Sequence, residues 1–132
     1  MKLKNIFPLV AVSILGIASI IVPVYILGDS LKQYDSPLFP ILRTGLEGFS
    51  LYSLLFLFLS GFIIKLFSAI PSWKIGLMSM ALFPLAAICE MIADSSSHNM
   101  LPFEFIGYGF YTIPAIIGAY ISQIIKSFFK AK

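Results

Sequence analysis

"GLEGFSLYSLLFLFLSGFIIKLF", residues Gly45 to Phe67, decides the fold class. The run is apolar along nearly its whole length, and its charges, Glu47 and Lys65, stand near its ends. Its length is close to the ~20 residues that a helix needs to cross a ~30 Å hydrocarbon core. The apolar residues are continuous rather than alternating. A spanning barrel needs at least ~8 alternating strands, so the run reads as a helix.

Three more runs of this kind lie around it, at about Ile6–Leu27, Ile75–Ile92 and Phe103–Ile125. The whole chain is 59% hydrophobic and 11% charged, against roughly 25% charged in a soluble domain. Its mean hydropathy is +0.98. The expected fold class is therefore an all-α integral membrane protein, with four transmembrane helices in an antiparallel bundle forming one domain over residues 1–132. "MKLKN" at the start resembles a charged leader, but the apolar run after it exceeds the ~7–15 residues of a signal core. No small-x-small cleavage site follows, so the helix is expected to be retained.

Charge placement sets the expected orientation. Lys2, Lys4, Lys65, Lys74, Lys126, Lys130 and Lys132 fall on one side of the four runs, and Lys32 and Arg43 on the other. By the positive-inside rule both termini are cytoplasmic and the protein sits in the plasma (inner) membrane. The basic residues stand at helix ends and form no stripe, which argues against nucleic acid as a partner despite a net charge of +3. The lipid bilayer is the first expected partner. Tyr25, Trp73, Tyr108 and Tyr111 fall near the expected interfaces, where aromatic side chains anchor. The outer side also carries the acids Asp29, Asp35, Glu47, Glu90, Asp94 and Glu104.

"EMIADSSSHN", Glu90 to Asn99, concentrates that polar chemistry. If the third helix enters near Ile75, Glu90 lies roughly 22 Å along it, in the outer third of the core. A carboxylate there must face the bundle, find a partner or be protonated. Asp94 is one turn further on the same face, and His98 continues it only if the helix survives three serines, which favour turns. Arg43 and Glu47 are one turn apart and suit a salt bridge. Glu104, Tyr108 and Tyr111 form a polar and aromatic stripe at i, i+4 and i+7. Glu104 also follows Pro102 in a helical first turn, where a carboxylate satisfies free amides. The long outer loop 28–44, with Tyr34, Leu38, Phe39, Pro40 and Ile41, is expected to roof these groups and suits a short amphipathic helix.

Candidate ligand-binding residues are thus Glu90, Asp94, His98, Glu47, Arg43, Glu104, Tyr108 and Tyr111. Their expected ligand is a small molecule, a cation or a lipid headgroup, bound without chemistry. No metal site is expected, because true zinc motifs bring at least two histidines and His98 stands alone. No cofactor fingerprint, phosphate loop or nucleophile elbow is present, so neither a cofactor nor an enzyme is expected. Cys89 reads as a small core residue and excludes an internal disulfide.

Helix four carries Ala115, Gly118, Ala119 and Ser122, small residues at helical spacing that let another backbone approach. That face supports a second reading, an interaction protein: a subunit of a larger membrane complex, an immunity-type protein or a homo-oligomer. A third reading, a small proton-coupled transporter, ranks below these because its acid belongs near the midplane. Pro23, Pro84 and Pro114 lie inside expected helices and are candidate kinks that open a cavity toward the outer side.

Overall fold

The computed structural model describes residues 6–27, 36, 38–96 and 101–130. Among these, every regular element is a helix: α1 (Ile6–Leu27), α2 (Pro40–Glu47), α3 (Leu51–Phe67), α4 (Ser72–Ser79), α5 (Leu82–Ala93), α6 (Leu101–Tyr111) and α7 (Ile113–Lys130). Three helical runs are long and apolar enough to cross a membrane: Ile6–Ile26, Ser72–Ala93 and Pro102–Phe129. A fourth arises if α2 and α3, bent by 107° to each other, count as one span.

That bend corrects the reading of Gly45–Phe67 as one helix. The apolar run continues through it, but local hydrogen bonding does not. Gly48 closes α2 by donating its N–H to the Thr44 carbonyl. Ser50 then starts α3 afresh, its side chain accepting from the Ser53 N–H while the Ser53 side chain accepts from the Ser50 N–H. This reciprocal cap satisfies donors that a helix start would otherwise leave unpaired. Alone, α3 spans about 26 Å at 1.5 Å per residue.

Proline accounts for two smaller breaks. Pro84 cannot donate to the chain before it, and the segment ahead tightens into three-residue turns: Met80 N–H to Leu77, Ala81 N–H to Met78 and Phe83 N–H to Met80. Pro114 does the same around Thr112, whose N–H and hydroxyl both donate to the Gly109 carbonyl, at 3.2 and 2.6 Å. Pro23, by contrast, lies within a continuous α1.

The interior divides into two clusters. Leu9 and Val12 of α1 meet Ile70, Ile75 and Ala119, with Ile64 of α3 against them. Ile20 of α1 meets Leu57, Met80, Phe83, Ala87 and Tyr108. Successive runs therefore travel between the clusters in alternate senses: α1 from the first to the second, α3 back, α4–α5 out again, α6–α7 back. At the first end Lys65 donates to the Ile70 carbonyl (2.7 Å), Lys126 to the Lys65 carbonyl (3.1 Å) and Ser72 to Gln123 (3.1 Å).

Between the clusters the helices touch through glycine. A Cβ on Gly61 would overlap the Ala115 carbonyl, and one on Gly118 would overlap the Phe58 carbonyl, so α3 and α7 press backbone to backbone. Gly16 of α1 meets the Ser79 carbonyl in the same way, and Ser13 donates across to the Met78 carbonyl at 2.8 Å. Close backbone approach gives apolar helices dispersion contacts that no hydrophobic effect supplies within lipid. Ala115, Ala119 and Ser122 of α7 are fully buried. Within the small-residue face expected to meet a partner or a second copy, Ala115 and Gly118 lie against α3, and Ala119 packs with Leu9, Val12, Ile70 and Ile75.

The outside is apolar. Phe67, Ile92 and Phe7 are each at least 80% exposed, and such residues lie along α1, α3, α5, α6 and α7. Cys89 is exposed as well, not in the core as its small size suggested. Here α5 turns Phe83, Ala87 and Glu90 inward at i, i+4 and i+7, which leaves Cys89 on the opposite side.

Candidate functional site

The polar groups converge around α2. This helix begins at Pro40, which suits a first helical position, but its N-cap is Phe39, whose side chain offers no acceptor. Its N–H instead finds two acceptors, the Ser36 hydroxyl oxygen at 3.1 Å and a carboxylate of α5. Phe39 N–H donates to Oε1 of Glu90 at 2.9 Å, and the Ser36 hydroxyl donates to the same oxygen. A carboxylate at a helix N-terminus satisfies free donors and complements the helix dipole. Glu90 is 4% exposed and stands near the end of the Ser72–Ala93 run. That run begins at Ser72 and not near Ile75, so Glu90 lies 18 residues, about 27 Å, along it.

Helices α2, α5 and α6 enclose a cavity of about 180 Å³. Phe39, Leu42, Arg43, Leu46 and Glu47 of α2 and its cap form one wall. Phe83, Ala86, Ala87 and Glu90 of α5 form the second. Glu104, Gly107, Tyr108 and Tyr111 of α6 form the third. The volume is about that in which an apolar interior takes a single-ring molecule.

The aromatic side chains are held from behind. Tyr111 stacks on Phe49 with centroids 4.1 Å apart, and Tyr108 lies against Phe83 and Phe105 at 6.2 and 5.9 Å. Tyr108 hydrogen-bonds to Glu104 and sits within electrostatic reach of Arg43 and Glu90. Both tyrosines, expected at the interface as anchors, are instead turned toward this cavity. Tyr25 and Trp73 do face outward.

Six of the eight residues anticipated as ligand-binding therefore border one cavity: Arg43, Glu47, Glu90, Glu104, Tyr108 and Tyr111. Asp94 does not. It ends α5 in an extended conformation and is exposed, accepting from the Ser96 N–H at 2.9 Å and the Ser96 hydroxyl at 2.7 Å. Those bonds, the hydroxyl's first, hold its carboxyl below the usual range. His98 lies outside the described residues, as do residues 28–35 of the loop expected to roof the site. The loop's later part forms α2, a short amphipathic helix as its composition suggested.

Sequence reasoning missed the apolar walls and the backbone donor of Phe39. Leu42, Leu46, Phe83, Ala86 and Gly107 carry no pattern that separates them from other apolar residues. One signal was present for Phe39: Pro40 starts a helix with no capping side chain before it, so an acceptor had to come from elsewhere. Among the described residues no three of His, Cys, Asp and Glu are grouped so as to hold a metal ion. The chain matches no protein-family model, no curated protein and no solved structure.

Proposed function

We propose that this chain is a four-span protein of the plasma membrane with both ends in the cytoplasm. Its outward end holds a pocket that binds a small ligand without chemistry. The apolar exterior supports insertion, and outward-facing Tyr25 and Trp73 suit opposite interfaces. The alternating travel of the helical runs between the two clusters supports an antiparallel bundle. Lys65 and Lys126 gather at one end, and the carboxylates of Glu47, Glu90 and Glu104 gather at the other, which supports the orientation.

The observation that carries the ligand reading is the cavity itself. It joins apolar and aromatic walls to a few fixed polar groups, the usual make-up of a small-molecule site. The interaction reading is less favoured, because its small-residue face is buried within the chain. The transporter reading is less favoured because Glu90 stands near the end of its span.

Gly107 supplies a clean test. A Cβ there meets nothing within 4 Å, so a larger side chain is tolerated while reducing the space. Native mass spectra of wild type and Gly107→Phe, purified gently from membranes, are expected to show a small bound mass in the first and none in the second. A folded wild type that never carries such a mass, in any lipid extract, would contradict the pocket.

A further inference from the structure

We infer that the ligand of this cavity is a compact organic cation, an ammonium group carrying an apolar body of about one ring. The inference rests on the pocket reading above and names its ligand class.

Charge selects the sign. The walls carry three carboxylates, Glu47, Glu90 and Glu104, against one guanidinium, Arg43. In apolar surroundings such an excess is weakly screened, and a cleft lined by one sign of charge concentrates the opposite one. Among the described residues, Arg43 is the one cationic side chain on the walls to meet an anion.

Size selects the class. A bare metal ion needs several oxygen ligands converging on one point. Among the described residues no such grouping exists. The carboxylates come instead from three different helices around a space of about 180 Å³. That arrangement suits a charge carried on a larger body.

The walls select the body. Phe83, Tyr108 and Tyr111 bring ring surfaces, and Leu42 and Leu46 bring aliphatic ones. Aromatic faces attract ammonium groups, quaternary ones included. The acceptors are also held in place: Glu90 by Phe39 and Ser36, and Glu104 by Tyr108. Fixed groups lose little freedom on binding. The same chemistry is offered by the choline headgroup of a phospholipid and by a free organic amine.

The test is calorimetric titration of the full chain in a non-ionic maltoside detergent. The probes are benzyltrimethylammonium, its uncharged carbon analogue neopentylbenzene, and benzenesulfonate. Benzyltrimethylammonium is expected to bind at least about tenfold tighter than either of the others. Gly107→Phe is expected to abolish that binding. Arg43→Gln, which removes the opposing charge, is expected to tighten it about threefold, a gain that misfolding cannot imitate. Added dihexanoyl-phosphatidylcholine distinguishes the sources. Competition assigns the cavity to a lipid headgroup, and its absence assigns it to a free amine; both support the inference.

Equal, Gly107→Phe-sensitive binding of the neutral or anionic probe would overturn the cation and leave the pocket standing. Weaker cation binding by Arg43→Gln would also overturn it. Binding of none of the three probes overturns the inference, and the mass-spectral comparison then decides the pocket separately.

Discussion

The middle of the molecule and its cavity end use the same residue in opposite ways. Along the contacts of α1, α3, α4 and α7, glycine marks a place where another backbone sits: Gly16 under Ser79, Gly61 under Ala115, Gly118 under Phe58. Between α2, α5 and α6, Gly107 has open space beside it. The first arrangement leaves no room and few polar groups. The second leaves a cavity and gathers three carboxylates, a guanidinium and two tyrosines around it. A chain of this size thus separates a rigid frame from a region whose walls are not in direct backbone contact. The proline breaks at Pro84 and Pro114 stand between the two, where α4 passes into α5 and α6 into α7.

The largest effect that tests this contrast is expected from paired glycine substitutions. Gly61→Leu drives a side chain into the Ala115 carbonyl, and its cost is expected to be at least about 3 kcal/mol, enough to remove most folded protein. Gly107→Leu is expected to be neutral or slightly stabilising, by up to about 1 kcal/mol, since glycine is a poor helix residue and nothing stands in the way. Thermal unfolding in detergent compares them. Equal destabilisation by both would erase the distinction between seam and cavity.

A smaller effect sharpens it. Glu90 joins the cavity's walls by holding α2 against α5. Glu90→Ala removes one of the two acceptors of the Phe39 N–H, leaving the Ser36 hydroxyl oxygen, and is expected to cost about 1–2 kcal/mol, whereas Glu90→Gln keeps an acceptor oxygen and is expected to cost less than about 1 kcal/mol. Hydrogen exchange is expected to quicken at the Phe39 amide in both variants while the Ile116 amide in α7 stays protected. Loss of protection at Ile116 first would place Glu90 in the frame and not in the cavity wall.

How far this contrast was visible beforehand differs by residue. Apolar run length revealed the helical spans, and proline marked two of the breaks. The bend at Gly48–Ser50 was hidden because run length alone does not register it; the drop in apolar character from α3 to α2 and the serine pair Ser50 and Ser53 are the signals of a new start. Helical spacing grouped Glu104, Tyr108 and Tyr111, and their convergence with Glu90 and Arg43 followed from packing that spacing alone does not encode. Rotation about a helix axis is set by neighbours rather than by hydropathy. That is why Cys89 was misplaced and why Phe39, a backbone donor, left no trace in residue type.

The smallest effect concerns Asp94, which the sequence grouped with the site and the structure separates from it. Its carboxyl is held low by Ser96. The stabilisation of that turn is therefore complete above the ordinary carboxylate value, and it fades as pH falls through Asp94's own lower value. Ser96→Ala, which removes the hydroxyl and keeps the backbone donor, is expected to move the Asp94 carbon-13 titration part of the way back toward the ordinary range and leave ligand retention unchanged. A change in ligand retention would join Asp94 to the cavity after all.

The proposed arrangement sets a cavity open to water on the outer side of the membrane beside a sealed seam within it. The direct measurement is labelling of single cysteines, in a Cys89→Ser background, by a charged thiol reagent added outside intact cells. Ala86→Cys lies on the cavity wall and Ala115→Cys in the seam. The expected result is rapid labelling at position 86 and none at position 115. Labelling of Ala86→Cys only in inside-out vesicles, or equal labelling at both positions, would contradict it.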